Sequence, residues 1–159
     1  MSKKIKLLFI DIDGTLTDGK IYMGNNGEMF KAFDIKDGYA IHEILPLYGI
    51  VPIIITGRTS KIVENRAAEL GISELYQGKH GKIETFLHVL QKYDCAPEEA
   101  AYIGDDVLDK PCMDLCGIVG CPADAMDAVR ETAHFVSSKK GGEGAVREFI
   151  EWIINTNKM

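Results

Sequence analysis

Asp11 and Asp13 stand two residues apart at the end of the apolar run Lys6-Leu7-Leu8-Phe9-Ile10, and Gly14 follows them. On an extended backbone, residues two apart leave the same face, so both carboxylates point one way. Like charges about 4 Å apart repel by roughly 4 kcal/mol at an effective dielectric near 20. A divalent cation held by oxygen ligands is the simplest offset. A lone Asp-Gly after a strand is also an ordinary turn, so the weight falls on three further stretches.

Thr56-Gly57-Arg58 offers a hydroxyl, a sterically open backbone amide and a guanidinium, the donors a phosphoryl group requires. The same residues could instead form a helix cap and loop. Gly78-Lys79-His80-Gly81-Lys82 puts two lysines at a helix start, where cations oppose the helix dipole. Solvated surface lysines would account for that equally. Gly104-Asp105-Asp106 with Asp109 adds three carboxylates, of which capping could use one or two. Oxygen-only donors favour Mg²⁺ over zinc or copper.

The elements that must position these groups follow from pattern. Strands are expected at the run before Asp11 and at 50–55, 74–77, 100–104, 118–119 and 135–136. Helices are expected at 60–70, 82–93, 125–132 and 145–154, with a short one reaching Cys116. Asp37-Gly38 is expected to open another, which kinks or ends at Pro46 and closes at Gly49. Residues 20–34 read as a projecting hairpin turning at Asn25-Asn26-Gly27, with more apolar surface than a lone hairpin can hide. Alternating buried strands and helices imply a parallel α/β sheet with helices on both faces, in a single domain over 1–159. Ligands of such sheets bind beyond the carboxyl ends of strands, and Asp11, Thr56 and Asp105 each follow a strand.

The stretch Asp11-Ile12-Asp13-Gly14-Thr15-Leu16-Thr17-Asp18 resembles the first motif of the haloacid-dehalogenase-like (HAD-like) phosphatases. The resemblance runs along almost the whole chain. It is closest to the small capless branch that includes 3-deoxy-D-manno-octulosonate 8-phosphate phosphatases. It implies a three-layer, Rossmann-like fold without a cap domain, and a two-step hydrolysis. Asp11 would be the nucleophile, and Asp13 the acid that protonates the leaving alkoxide and then the base for water, with neighbouring carboxylates favouring its protonated form. Thr56, Gly57 and Arg58 would hold substrate, and Lys82, with Lys79 as the alternative, would neutralise the phosphoryl group. Mg²⁺ would be held by Asp11, Asp105 and the main-chain carbonyl of Asp13, with Asp106 and Asp109 as neighbouring or alternate ligands.

The resemblance also implies a homotetramer built around the hairpins, in which a neighbouring subunit covers the open site. A glycine-rich segment matching 139–148 lies near the active site in such enzymes, although its glycines could equally form a flexible connection. The substrate implied is an eight-carbon sugar acid phosphate of lipopolysaccharide precursor synthesis. A nine-carbon, sialic-acid-type 9-phosphate is the competitor, and Arg58 fits the eight-carbon branch. A reading of another class is a phospho-accepting receiver domain, whose adjacent acids and phosphorylated Asp come in a different order. A fused cytidylyltransferase has no room here.

At 159 residues the chain is long enough for a sizeable core. A net charge of −6 argues against a nucleic-acid partner. The start of the chain lacks a signal-peptide pattern, and no apolar run approaches the ~20 residues of a membrane span, so a cytoplasmic location and no membrane partner are expected. Cys95, Cys112, Cys116 and Cys121 lack zinc-ligand spacing and are expected to be free thiols.

Overall fold

A computed structural model describes residues 3–157. Its centre is a six-stranded sheet in the order β5-β4-β1-β6-β7-β8, formed by β1 (Leu7–Ile10), β4 (Val51–Ile55), β5 (Glu74–Tyr76), β6 (Ala100–Ile103), β7 (Ile118–Cys121) and β8 (Phe135–Val136). All of its strand pairs are parallel. The two remaining strands, β2 (Tyr22–Gly24) and β3 (Gly27–Phe30), form the hairpin.

Every residue of β1 is buried, because both faces are covered. Leu8 and Ile10 face one cluster with Ile41, Val63, Val146 and Phe149. Those partners come from the helical run that begins with α1 (Ile35–Tyr39), from α2 (Lys61–Glu69) and from α6 (Ala145–Asn157). Leu7 and Phe9 face the other cluster with Phe86, Val89, Cys112, Met113 and Val129. Those partners come from α3 (Lys82–Lys92), α4 (Lys110–Met113) and α5 (Asp127–Arg130). A two-residue period thus feeds two cores, and each fully buried Leu, Ile or Phe contributes about 1.5–3 kcal/mol. The chain is a three-layer α/β fold.

The chain order places the site. From β1 it crosses to β4 and β5 on one side, then returns to β6, β7 and β8 on the other. The strand order therefore reverses at β1, which opens a crevice there. Ile10 pairs in register with Ile54 of β4 and Ile103 of β6. The residues that leave these strands, Asp11, Thr56 and Asp105, consequently emerge side by side.

The helix expected to open at Asp37 begins earlier. Asp34 caps α1 by accepting from the Lys36 amide. Asp37 lies inside it, 1% exposed, and accepts from the Arg147 amide at 2.9 Å. It thereby caps α6 from a distance. The run continues as a π-turn (Ala40–Ile44) and a 3₁₀ turn (Leu45–Tyr48), where Pro46 is tolerated in the first turn. Gly49 closes it in the left-handed conformation, as expected. Only the hairpin lies between Asp18 and α1, and only α2 and β5 between Thr56 and α3, so neither stretch inserts a cap domain.

The glycine-rich segment is not a loose connection. The Gly142 amide donates to the Thr15 carbonyl at 3.1 Å, and the Gly141 amide to Asp124 Oδ1 at 3.0 Å. A Cβ on Gly141 would lie 2.0 Å from the Gly14 carbonyl oxygen, so the segment packs directly against the back of the first acidic loop. Gly141→Ala should therefore lower stability by about 1–3 kcal/mol through overpacking against backbone, measured by denaturant unfolding. Wild-type stability would contradict this packing.

Candidate active site

After Ile10 the backbone makes one π-type turn, Ile12–Leu16, in which Gly14 takes φ 87°. A side chain there is excluded twice: φ is positive, and a Cβ would lie 1.9 Å from Asp105 Oδ2. Thr17 ties the turn down, accepting from the Gly14 and Gly19 amides at 3.2 and 3.1 Å.

Asp11, Asp105 and Asp109 bring one carboxylate oxygen each to within 4.8 Å of one another. Lys82, the first residue of α3, reaches into this cluster with its side chain 4% exposed. Its ammonium donates to Asp11 Oδ1 at 3.0 Å and to Asp109 Oδ1 at 2.7 Å. Asp109 also accepts from the Tyr102 hydroxyl at 2.8 Å, from beneath. Three carboxylates thus face one ammonium, which bonds two of them, and Asp11 and Asp105 register the imbalance. Burial, then Asp109, pushes Asp11 well above the usual carboxylate range despite Lys82. Burial, then Asp109 and Asp106, raises Asp105 to about 6 although a hydrogen bond with Asp11 opposes the shift. Burial disfavours the Lys82 ammonium, but Asp11 and Asp109 outweigh it and hold its pKa above the ordinary value. An all-oxygen donor set that is short of positive charge fits a hard divalent cation such as Mg²⁺.

A cleft of about 300 Å³ opens over this floor, and Thr56, Gly57 and Arg58 form part of its wall. Thr56 is buried and fixed by its backbone, donating to the Tyr76 carbonyl and accepting from the Lys79 amide, both at 3.0 Å. Lys79 therefore contributes a backbone amide behind the wall, whereas Lys82 points into the floor. The Asp106 side chain has a different role from that of Asp109: it caps the following 3₁₀ turn by accepting from the Val107 amide at 2.6 Å, while the Asp106 amide donates to Asp109 Oδ2 at 3.4 Å.

The Asp13 side chain lies outside the cluster and has a different neighbour. It accepts from Lys31 at 2.6 Å, and Lys31 also donates to Glu28 at 3.1 Å. To the carboxylates that Asp13 meets across the cleft, the structure thus adds an ammonium at its side. Lys31 and Glu28 were missed in the sequence, as was Tyr102. The available signal was a lysine embedded between Phe30 and Phe33, a poor place for a solvated charge. The four cysteines are free thiols, and burial pushes Cys112 up to about 12 and Cys121 to about 11.

No protein-family model matches the chain. It is 46% identical over 153 residues to the 3-deoxy-D-manno-octulosonate 8-phosphate phosphatase KdsC of Escherichia coli K12, covering 96% of this chain and 81% of that protein. The chain belongs to this phosphatase family. Among solved structures, the 3-deoxy-D-manno-octulosonate 8-phosphate phosphatase from Yersinia pestis superposes with a TM-score of 0.93 at 45% identity, over 97% of this chain and 83% of that one. The phosphatase of this family from Moraxella catarrhalis, solved with magnesium ion, phosphate ion and a KDO molecule, gives 0.91 at 37% identity, over 97% and 88%. A HAD superfamily hydrolase from Legionella pneumophila gives 0.94 at 35% identity, over 99% and 86%. The fold is therefore HAD-like.

Two outcomes are expected. Asp37 is raised to about 6, chiefly by burial, and Asp105 to about 6, from an ordinary 3.8. Between those values these two groups bind more protons in the metal-free native state than in the unfolded chain, so their contribution to stability should fall as pH rises from about 4 to above 6. That contribution dominates above about pH 5, where Asp18, Glu74 and Glu99, all shifted down, are ionised in both states. Denaturant midpoints measured in a chelator across that window test the sign, and a rising midpoint contradicts it. At pH 7.5, Mg²⁺ at 100 times its dissociation constant should stabilise the fold by about 2.7 kcal/mol, and Asp105→Asn should abolish most of the shift. A thermal shift that survives Asp105→Asn contradicts the placement of the ion.

Proposed function

We propose that the chain is a Mg²⁺-dependent phosphomonoesterase that hydrolyses 3-deoxy-D-manno-octulosonate 8-phosphate through an aspartyl-phosphate on Asp11. The observation that carries this reading is the Asp11 carboxylate, held by Lys82 in the floor of a cleft walled by Thr56, Gly57 and Arg58. The family relationship supplies the substrate.

Asp11 attacks phosphorus as the bond to the sugar oxygen breaks. Asp13, also facing the cleft, gives its proton to that oxygen. In the second step Asp13 takes a proton from water, whose oxygen attacks the phosphorus and frees Asp11 with release of phosphate. Lys82 stays charged throughout and offsets the negative charge shared among Asp11, Asp109 and the transferring group. The Thr56 hydroxyl, the Gly57 amide and the Arg58 guanidinium offer donors to the phosphoryl oxygens and to the anionic sugar acid. Asp11, Asp105 and the main-chain carbonyl of Asp13 would hold Mg²⁺, which when bound would supply electrostatic stabilisation of the phosphoryl oxygens and favour the ionised nucleophile. Asp109 would be the neighbouring or alternate ligand, and Asp106 is a helix cap that adds charge beside it.

We infer a single domain that assembles as a homotetramer, with a neighbouring copy over the cleft. The hairpin supports this: Met23 and Met29 are 62% and 66% exposed, and Ile21 and Phe30 are also exposed, an apolar surface that a partner would cover. Phe33, in contrast, packs on the core. Among the described residues no helix is long and apolar enough to cross a membrane. The relatives support a place in lipopolysaccharide precursor synthesis, and we infer a cytoplasmic setting for it.

The purified chain should release phosphate steadily from 3-deoxy-D-manno-octulosonate 8-phosphate with Mg²⁺, and Asp11→Asn should reduce kcat by at least about 10³-fold. A single long-lived phosphorylation without turnover would overturn the enzyme in favour of a receiver, and normal rates in Asp11→Asn would sink the nucleophile assignment.

A further inference from the structure

The hairpin carries a buried ion network that the phosphoryl chemistry leaves unexplained. Lys31 follows β3 directly, and its side chain is 1% exposed. Lysine is almost never buried unless paired. It donates to Asp13 Oδ1 at 2.6 Å and to Glu28 Oε2 at 3.1 Å. Glu28 Oε2 lies in turn 3.7 Å from a guanidinium nitrogen of Arg58. Charge sign therefore alternates along Asp13, Lys31, Glu28 and Arg58. The two outer members face the cleft, while the two inner ones belong to the hairpin behind it. A desolvated pair of this kind holds a fixed geometry, unlike an exposed pair, which contributes little.

We propose that Lys31 is the positioning residue of the proton-transfer step: by bonding Asp13 Oδ1 it fixes the carboxyl and leaves Oδ2 to exchange the proton with the leaving oxygen and with water. This rests on the reading of Asp13 as the acid. An ammonium has donors and no acceptor. An oxygen that accepts from it therefore cannot present a proton along the same direction. The Asp13 side chain is 26% exposed, toward the cleft, so the other oxygen is the one substrate meets. In the first step the proton passes from Oδ2 to the departing sugar oxygen as that P–O bond breaks and the Asp11 O–P bond forms. In the second, a water proton passes to Oδ2 as the water oxygen bonds phosphorus and the Asp11 O–P bond breaks. Lys31 keeps its protons in both. Without it the carboxyl is free to turn, and a displacement of about 1 Å costs on the order of 10²-fold in rate. Glu28 holds Lys31 from the other side and ties the same network to Arg58.

Leaving-group dependence separates this role from a mere tether. The alkoxide of 3-deoxy-D-manno-octulosonate 8-phosphate needs a proton to depart, whereas the phenolate of p-nitrophenyl phosphate does not. The quantity to compare is kcat/KM, which ends at phosphoryl transfer to Asp11 and excludes the later water step. Lys31→Met should lower kcat/KM for the sugar phosphate at least about tenfold, through kcat rather than KM, and leave the aryl ester within about threefold. An equal fall on both esters, or no fall on either, would overturn the proposal. If the wild type hydrolyses neither ester, it is the phosphatase reading that fails. If Lys31→Met alone does not melt cooperatively, the same ratio is read on Lys31→Met with Glu28→Gln, which strands no buried carboxylate.

Discussion

Three carboxylates within 4.8 Å of one another share one ammonium, and the rest of the site answers that imbalance. In a buried pocket each charge is expensive and screening is weak. Lys82 bonds two of the three acids, which accounts for a lysine at the unfavourable first position of α3: the carboxylates ahead of it outweigh the helix dipole. One ammonium is still too few. The raised proton affinity of Asp11 and Asp105 is the sign of missing positive charge, and a divalent cation reverses it by favouring the ionised acids. The electrostatic problem that threatens the fold is thus the same feature that equips it to receive a phosphoryl group.

Rigid support lies on every side of the cluster. The sheet fixes the exits of β1, β4 and β6 because Ile10 is in register with both neighbours. Tyr102 holds Asp109 from below, deep in the core that Phe9 and Phe86 also fill. The glycine-rich segment presses on the acidic turn from behind, and the hairpin's Lys31 reaches the neighbouring Asp13 from the side. Preorganisation of this kind lets the donors act without reorganising as charge moves. The hairpin also divides its apolar residues, sending Phe33 into the core and leaving Met23 and Met29 outside.

Much of this was legible in the residues. The apolar run before Asp11 could only be a strand covered on both faces, and the exits of three such strands carry the reactive groups. What escaped depends on contacts between elements distant in the chain. The place of Lys31 between Phe30 and Phe33 hinted at burial, but only the fold turns it and Glu28 against Asp13 and Arg58. Tyr102 reads as one more core aromatic, because its hydroxyl has no visible partner until Asp109 folds over it. Asp37 has the local pattern of a helix opener, yet its carboxylate accepts from Arg147, 110 residues away. Asp106 and Asp109 look alike in sequence, and only a single 3₁₀ turn sends one to a cap and the other into the cluster.

The central claim is that the carboxylate of Asp11 bonds phosphorus. Borohydride added to a single-turnover mixture reduces an acyl phosphate to an alcohol and so marks its residue, which peptide mass spectrometry then locates. The account predicts homoserine at position 11, dependent on substrate and on Mg²⁺, with no other acid of the cluster altered. Phosphate release that leaves Asp11 unmodified, or a mark at Asp105 or Asp109 instead, would contradict it.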